Sequence, residues 1–191
     1  ISLLPSQIFT DKAGVIHSSG DKQSPWIGIA PFAAHKGKIY PIDKMEKVIQ
    51  QLIHTYPQVR LYLFGGGKEE TAIMNQWAET YPQVINASSQ LIGLAQELDL
   101  VSQLQLMMSM DSGNMHLASL VNTPVISIWG ATHPYAGFMG WNQDDANAVQ
   151  VSLPCRPCSI YGNKPCLRGD YACLNEIQPE EIINKVKFIL Q

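Results

Sequence analysis

The sequence predicts an α/β fold, a Rossmann-like doubly wound parallel sheet, and three observations carry that reading. Short apolar runs alternate with stretches of helical period from residue 26 onward, the connections between them are short, and glycine-bearing loops follow several of the apolar runs. Such alternation gives right-handed crossovers and parallel strands. It gathers the loops that bind ligands outside the carboxyl ends of those strands.

The elements follow in order. Residues 26–32 (WIGIAPF) form a β-rich apolar run that enters a loop with Ala33, Ala34 and Gly37. Met45, Val48, Ile49, Leu52 and Ile53 then recur at helical spacing, with Pro41 and Asp43 as start signals and Tyr56-Pro57 as the stop. Residues 59–67 (VRLYLFGGG) read as a buried strand opening into glycines, and residues 68–80 as the next helix. A third strand is expected at 84–87 and a helix at 91–100, the latter with Leu91, Leu94, Ala95 and Leu98 on its apolar face. A fourth strand follows at 104–110, a helix at 114–120, a fifth strand at 125–130 and a sixth at 149–153. Residues 179–190 close the chain as an amphipathic helix with Ile182, Ile183, Val186 and Ile189 inward. There is no internal repeat and no low-complexity tract.

The 191 residues suffice for one α/β domain with a real core. A hydrophobic content of 46%, a charged content of 15% and a formal net charge of -3 describe no strong field of either sign, which argues against a nucleic-acid partner. The apolar runs are far shorter than the roughly 20 residues of a membrane-spanning helix. Residues 1–25 carry no charged leader region and no small-residue cleavage site, and the chain has no starting Met. They are expected to be a linker or expression boundary, on a chain cut or processed from something longer, and residues 26–191 the domain itself.

Four loops are predicted to meet at one sheet edge: residues 31–38, 65–69, 111–116 and 130–134. In the third, Asp111-Ser112-Gly113 ends a strand and opens a helix, so first-turn N–H groups and the positive end of the helix dipole would face an anion. His116, one turn in, adds a donor for a phosphate or leaving group. The plainer alternative is that Asp111 or Ser112 only caps the helix. Lys36 and Lys38 offer cations, and Gly66, within the glycine run, and Glu69 offer close backbone approach and a carboxylate for a ribose. Lys38 and His116 are expected to be exposed at this cleft, so that replacing either weakens diphosphate binding with little loss of stability. Walker A, G-x-S-x-G, H-E-x-x-H and a G-x-G-x-x-G after the first strand are all absent from the sequence.

All four cysteines, Cys155, Cys158, Cys166 and Cys173, lie in a Pro- and Gly-rich loop, residues 154–174, with the spacing C-x2-C-x7-C-x6-C. Three readings fit: a structural zinc clip, disulfide pairing, or free thiols in a loop packed on the sheet.

Three segments together resemble the C-terminal half of the family 9 glycosyltransferases, the bacterial lipopolysaccharide heptosyltransferases. MDSGNMHLASLVNTPVISIWGATHP (110–134) is similar to that family's D-[ST]-G-x-x-H-x-A segment and its following G-x-T-x-P turn. GKIYP (37–41) resembles its Lys-aromatic-Pro segment, and the stretch from CRPC to the closing helix resembles its cysteine-bearing tail. The resemblance covers residues 26–191. It implies one half of a GT-B architecture, the donor-binding half of an inverting, metal-independent enzyme that uses an ADP-heptose-type nucleotide sugar. Asp111, Ser112, Gly113, His116 and Thr132 would contact the donor, Lys38 would offset developing phosphate charge, and Glu69 or Glu70 would approach the ribose. The general base and the lipopolysaccharide-precursor acceptor would belong to a missing N-terminal domain, so this chain alone would be inactive. No catalytic cofactor is implied, and the localisation would be cytoplasmic, peripheral to the inner membrane in the full-length protein. Alternatives are another nucleotide sugar on the same fold, or a binding module without catalysis. Two departures from the family pattern stand out: Ala33 and Ala34 replace hydroxyl residues found in some members, and His133 occupies a position that is often acidic.

Overall fold

A computed structural model describes residues 24–191 and, before them, the backbone of two short antiparallel strands, β1 (Ile8–Thr10) and β2 (Ile16–Ser18). Apart from these strands and residues 24 and 25, the linker expected at residues 1–25 lies outside the described residues. The remaining strands are β3 (Trp26–Ala30), β4 (Arg60–Leu63), β5 (Val84–Asn86), β6 (Leu106–Met110), β7 (Val125–Ile128) and β8 (Ala148–Val149). They form a six-stranded sheet in the order β5-β4-β3-β6-β7-β8, with every pairing parallel. The chain winds outward from β3 to β4 and β5, then returns to the other side of β3 as β6. The reversal at β3/β6 is the topological switch point of a doubly wound sheet.

Period-2 alternation explains how the sheet buries both faces. Ile27, Ile29, Leu61, Leu63, Leu106, Met108, Ile126 and Ile128 join one core with helices α1 (Ile42–Thr55), α2 (Lys68–Thr80) and α6 (Pro179–Leu190). Trp26, Ala30, Tyr62, Phe64, Met107, Val125 and Trp129 join the other, beneath α3 (Leu94–Ser102) and α4 (Gly113–Leu120). A one-turn helix, α5 (Ala172–Asn175), was not expected; it buries Ala172, Cys173 and Leu174. Among the described residues no helix is long and apolar enough to cross a membrane.

Two sequence expectations need correction. The helix expected at 91–100 runs from Leu94 to Ser102, because Gly93 sits at φ 81° and interrupts the backbone ahead of it. Leu94 is therefore exposed and the inward residues of α3 are Leu100 and Val101. The sixth strand ends at Val149 instead of Leu153. Beyond it the Gln150 side chain and the Val151 carbonyl turn to accept hydrogen bonds from Arg156.

Candidate functional site

The four predicted loops emerge at the same sheet edge, after β3, β4, β6 and β7 respectively. Beside the switch point lies a cleft of about 360 Å³ lined by Ala33, Ala34, Gly65, Gly66, Glu70, Glu97, Ser112 and Gly113 among others. Gly66 and Gly113 face open space, for a Cβ added at either would meet no atom within 4 Å. Their backbones are thus open to a ligand. Ala33 and Ala34, with no side-chain donors, can offer only backbone groups there.

The mouth of α4 differs from an ordinary capped helix. Ser112 is the N-cap residue, yet its side chain makes no cap hydrogen bond and instead lies 3.2 Å from the Ser109 hydroxyl. The capping alternative does not describe this helix. Met115 N–H donates to Ser112 O at 3.2 Å, while the N–H groups ahead of it precede the helical ladder, and Ser112, Gly113 and Asn114 present that end of α4 to the cleft.

Beneath the edge, three predicted residues form one polar cluster. Lys38 Nζ lies 2.9 Å from Asp111 Oδ2, and the Thr132 hydroxyl donates to the same oxygen at 2.7 Å. Asp111 and Thr132 are buried, and the Lys38 side chain is only 16% exposed. The expectation that Lys38 stands exposed is therefore corrected: its ammonium is held against a buried carboxylate. Close approach of two backbones builds this cluster. Ala131 N–H donates to Gly37 O at 2.8 Å, and a Cβ on Gly130 would sit 2.3 Å from that same oxygen.

Of the two acids expected near a ribose, Glu69 and Glu70, the structure brings one to the cleft. Glu69 is exposed, whereas Glu70 lines the cleft and accepts from Gly66 N–H at 2.8 Å. Glu97 of α3, which sequence reading missed, lines the cleft as well, and burial raises its carboxyl above the usual carboxylate range. Its signal was an acid in the first turn of a helix leaving the sheet edge. His116 is exposed but does not line the cleft. His133 turns to its own loop, where Nδ1 accepts from Tyr135 N–H at 3.2 Å and the two rings stand 4.6 Å apart.

Arg156, also missed, ties the cysteine loop to this edge. Its guanidinium donates to Gly130 O at 2.6 Å, to Thr132 O at 2.9 Å, to Gln150 Oε1 at 3.1 Å and to Val151 O. All four cysteines are free thiols in this arrangement, and among the described residues no three His, Cys, Asp or Glu side chains are grouped to hold a metal ion. Burial pushes the Cys173 thiol up to about 11, while backbone N–H donors, Tyr171 first, hold Cys166 below its ordinary value. A lowered pKa leaves more thiolate at a given pH. Alkylation followed by mass spectrometry at pH 7.5 is therefore expected to label Cys166 first and Cys173 last; the reverse order would contradict this loop geometry.

The model of a family described as glycosyltransferase family 9 (heptosyltransferase) matches residues 6–166. Lipooligosaccharide heptosyltransferase 2 of Campylobacter jejuni is 26% identical over 137 residues, 69% of this chain and 41% of the relative. Lipopolysaccharide heptosyltransferase 1 of Campylobacter coli is 27% identical over 165 residues, 81% of this chain and 44% of the relative. The chain thus spans less than half the length of these relatives. Among solved structures, E. coli ADP-heptose lps heptosyltransferase II superposes with a TM-score of 0.65 at 17% identity, covering 93% of this chain and 53% of that one. E. coli heptosyltransferase WaaC with ADP gives a TM-score of 0.63 at 17% identity, covering 88% and 45%. These likenesses show a shared fold.

Proposed function

The chain belongs to glycosyltransferase family 9, and from that premise we propose that it is the donor-binding half of an inverting, metal-independent heptosyltransferase of lipopolysaccharide core synthesis. The donor is an ADP-heptose-type nucleotide sugar. The observation that carries this reading is the switch-point cleft, where the uncapped start of α4 stands beside the Lys38–Asp111–Thr132 cluster. Structural neighbours described with ADP and with ADP-2-deoxy-2-fluoro heptose support the choice of ligand.

The chemistry follows from charge. As the bond from the anomeric carbon to the nucleoside diphosphate breaks, the leaving oxygens gain negative charge and need preorganised donors. The helix N-terminus supplies partial positive charge without reorganising. The Lys38 ammonium has three N–H donors, of which Asp111 Oδ2 takes one. Asp111 holds the ammonium in place while Thr132 shares its oxygen. Glu70 and Glu97 are the carboxyl groups available to sugar hydroxyls at this cleft. The general base and the acceptor site lie in the part of the enzyme that completes the GT-B cleft, and the full-length enzyme works in the cytoplasm at the membrane's inner face.

Calorimetry with ADP, UDP and GDP tests the reading. ADP is expected to bind in the micromolar to millimolar range, about -8 to -4 kcal/mol, and more tightly than UDP or GDP. A folded chain that binds no ADP at millimolar concentration overturns the donor assignment. Preference for UDP or GDP keeps a nucleotide-sugar site and changes its donor.

A further inference from the structure

Lys38 reaches Asp111 from the loop after β3, and its stem meets the cysteine-bearing loop on the way. A Cβ added to Gly162 would sit 2.5 Å from Lys38 Cγ and 2.7 Å from Cδ, and 3.5 Å from Thr132 Cγ2. The side chain that Gly162 lacks is thus the space that the lysine methylenes occupy.

The loop holds this glycine firmly. Gly162 N–H donates to Ser159 Oγ at 3.0 Å, and buried Ser159 donates in turn to Asn163 Oδ1 at 3.0 Å. Cys158 N–H donates to Ala131 O at 3.1 Å, which fixes the same turn to the exit of β7. A free lysine side chain samples many rotamers, and confining its stem in a groove aims the ammonium without adding another charge.

We propose that Gly162 is a positioning residue for Lys38: its bare backbone forms the groove that keeps the lysine stem aligned and its ammonium on Asp111. A purely local explanation competes with this. Gly162 has φ 73°, and a glycine there is favoured by backbone geometry alone. Asn tolerates that conformation better than most residues while still bringing a Cβ, so Gly162→Asn tests the groove with little backbone strain.

Three measurements on the full chain decide it. In urea denaturation, Gly162→Asn is expected to lower the midpoint clearly, and to do so far less when Lys38→Ala has already removed the colliding Cγ and Cδ. In amine labelling read by mass spectrometry, Lys38 of the unaltered chain should react about tenfold more slowly than exposed Lys187, and in Gly162→Asn at a similar rate to it. In calorimetry, Gly162→Asn should weaken ADP about tenfold, with no further loss on top of Lys38→Ala. Only this affinity measurement rests on the donor reading above.

An equal stability cost in both backgrounds, or a Lys38 still protected in Gly162→Asn, overturns the proposal. If ADP binds no variant and not the unaltered chain, the donor reading fails while denaturation and labelling still decide the role of Gly162. Should Gly162→Asn aggregate, Gly162→Ala enters the same cycle.

Discussion

Lys38→Ala is expected to lose about 3 kcal/mol of folding stability and to weaken ADP about tenfold. The stability loss comes from what remains behind. Asp111 keeps a side chain only 4% exposed, with the Thr132 hydroxyl as its neutral donor and no counter-charge. Removing one partner of a buried ion pair strands the other, and the partial exposure of Lys38 places the cost near the low end of the usual range of about 3–5 kcal/mol. Urea denaturation at neutral pH should therefore show a lower midpoint with an unchanged slope. Adding Asp111→Asn to Lys38→Ala should recover much of the loss, because a buried amide needs no counter-charge and the Thr132 hydroxyl can still donate to its oxygen. ADP affinity should stay low in that double variant. A single variant within about 0.5 kcal/mol of the unaltered chain, the range of an ordinary surface substitution, would mean that Asp111 is solvated and the cluster does not exist in solution.

The sheet was legible because its signal is local. Alternation along single strands sorts Ile27 and Ile29 from Trp26 and Ala30 without knowledge of any neighbour. Helix ends were legible where cap chemistry marks them: α6 starts at Pro179 within a Gln178/Glu181 capping box, and its expected bounds match. At α3 the marker is Gly93, but the apolar spacing of Leu91 and Leu94 drew the expected helix start too early. The site was legible as a set of loops, since parallel strands send them all to one edge. Its internal pairing was not. Lys38 meets Asp111 only because β6 returns beside β3, with Ala30 opposite Ser109, and strand order is not written in the alternation of either strand. Glu69 and Glu70 differ by about 100° around a helix, so choosing the acid that faces the cleft required the helix phase. Arg156 was overlooked because the cysteines on either side of it offered a metal-ligand spacing, whereas its own role depends on the carbonyls of Gly130 and Thr132, 26 and 24 residues away.

Arg156→Ala is expected to cost about 3–5 kcal/mol, with Arg156→Lys recovering little of it. The guanidinium serves Gly130 O, Thr132 O, Val151 O and Gln150 Oε1 at once, joining the exits of β7 and β8 to the loop between Cys155 and Cys158. Its planar fork matches several acceptors in fixed directions, whereas an ammonium on a lysine stem is a point donor that cannot span the three sites of Nε, Nη1 and Nη2. The alanine variant would leave the half-buried carbonyls without their charged donor, each hydrogen bond to a charged group being worth about 1.5–3 kcal/mol and the set less than its sum. The loss should also propagate. Thr132 is held by Arg156 through its carbonyl and holds Asp111 through its hydroxyl, so a relaxed turn should loosen Lys38 and raise its amine reactivity even under conditions where the variant remains folded. Urea denaturation and the Lys38 labelling rate measure the two effects separately. A variant that loses less than about 1 kcal/mol, the size of one ordinary hydrogen bond, would show that the cysteine loop is seated by other contacts. A large stability loss with Lys38 still protected would show instead that Arg156 anchors the loop without reaching the site through Thr132.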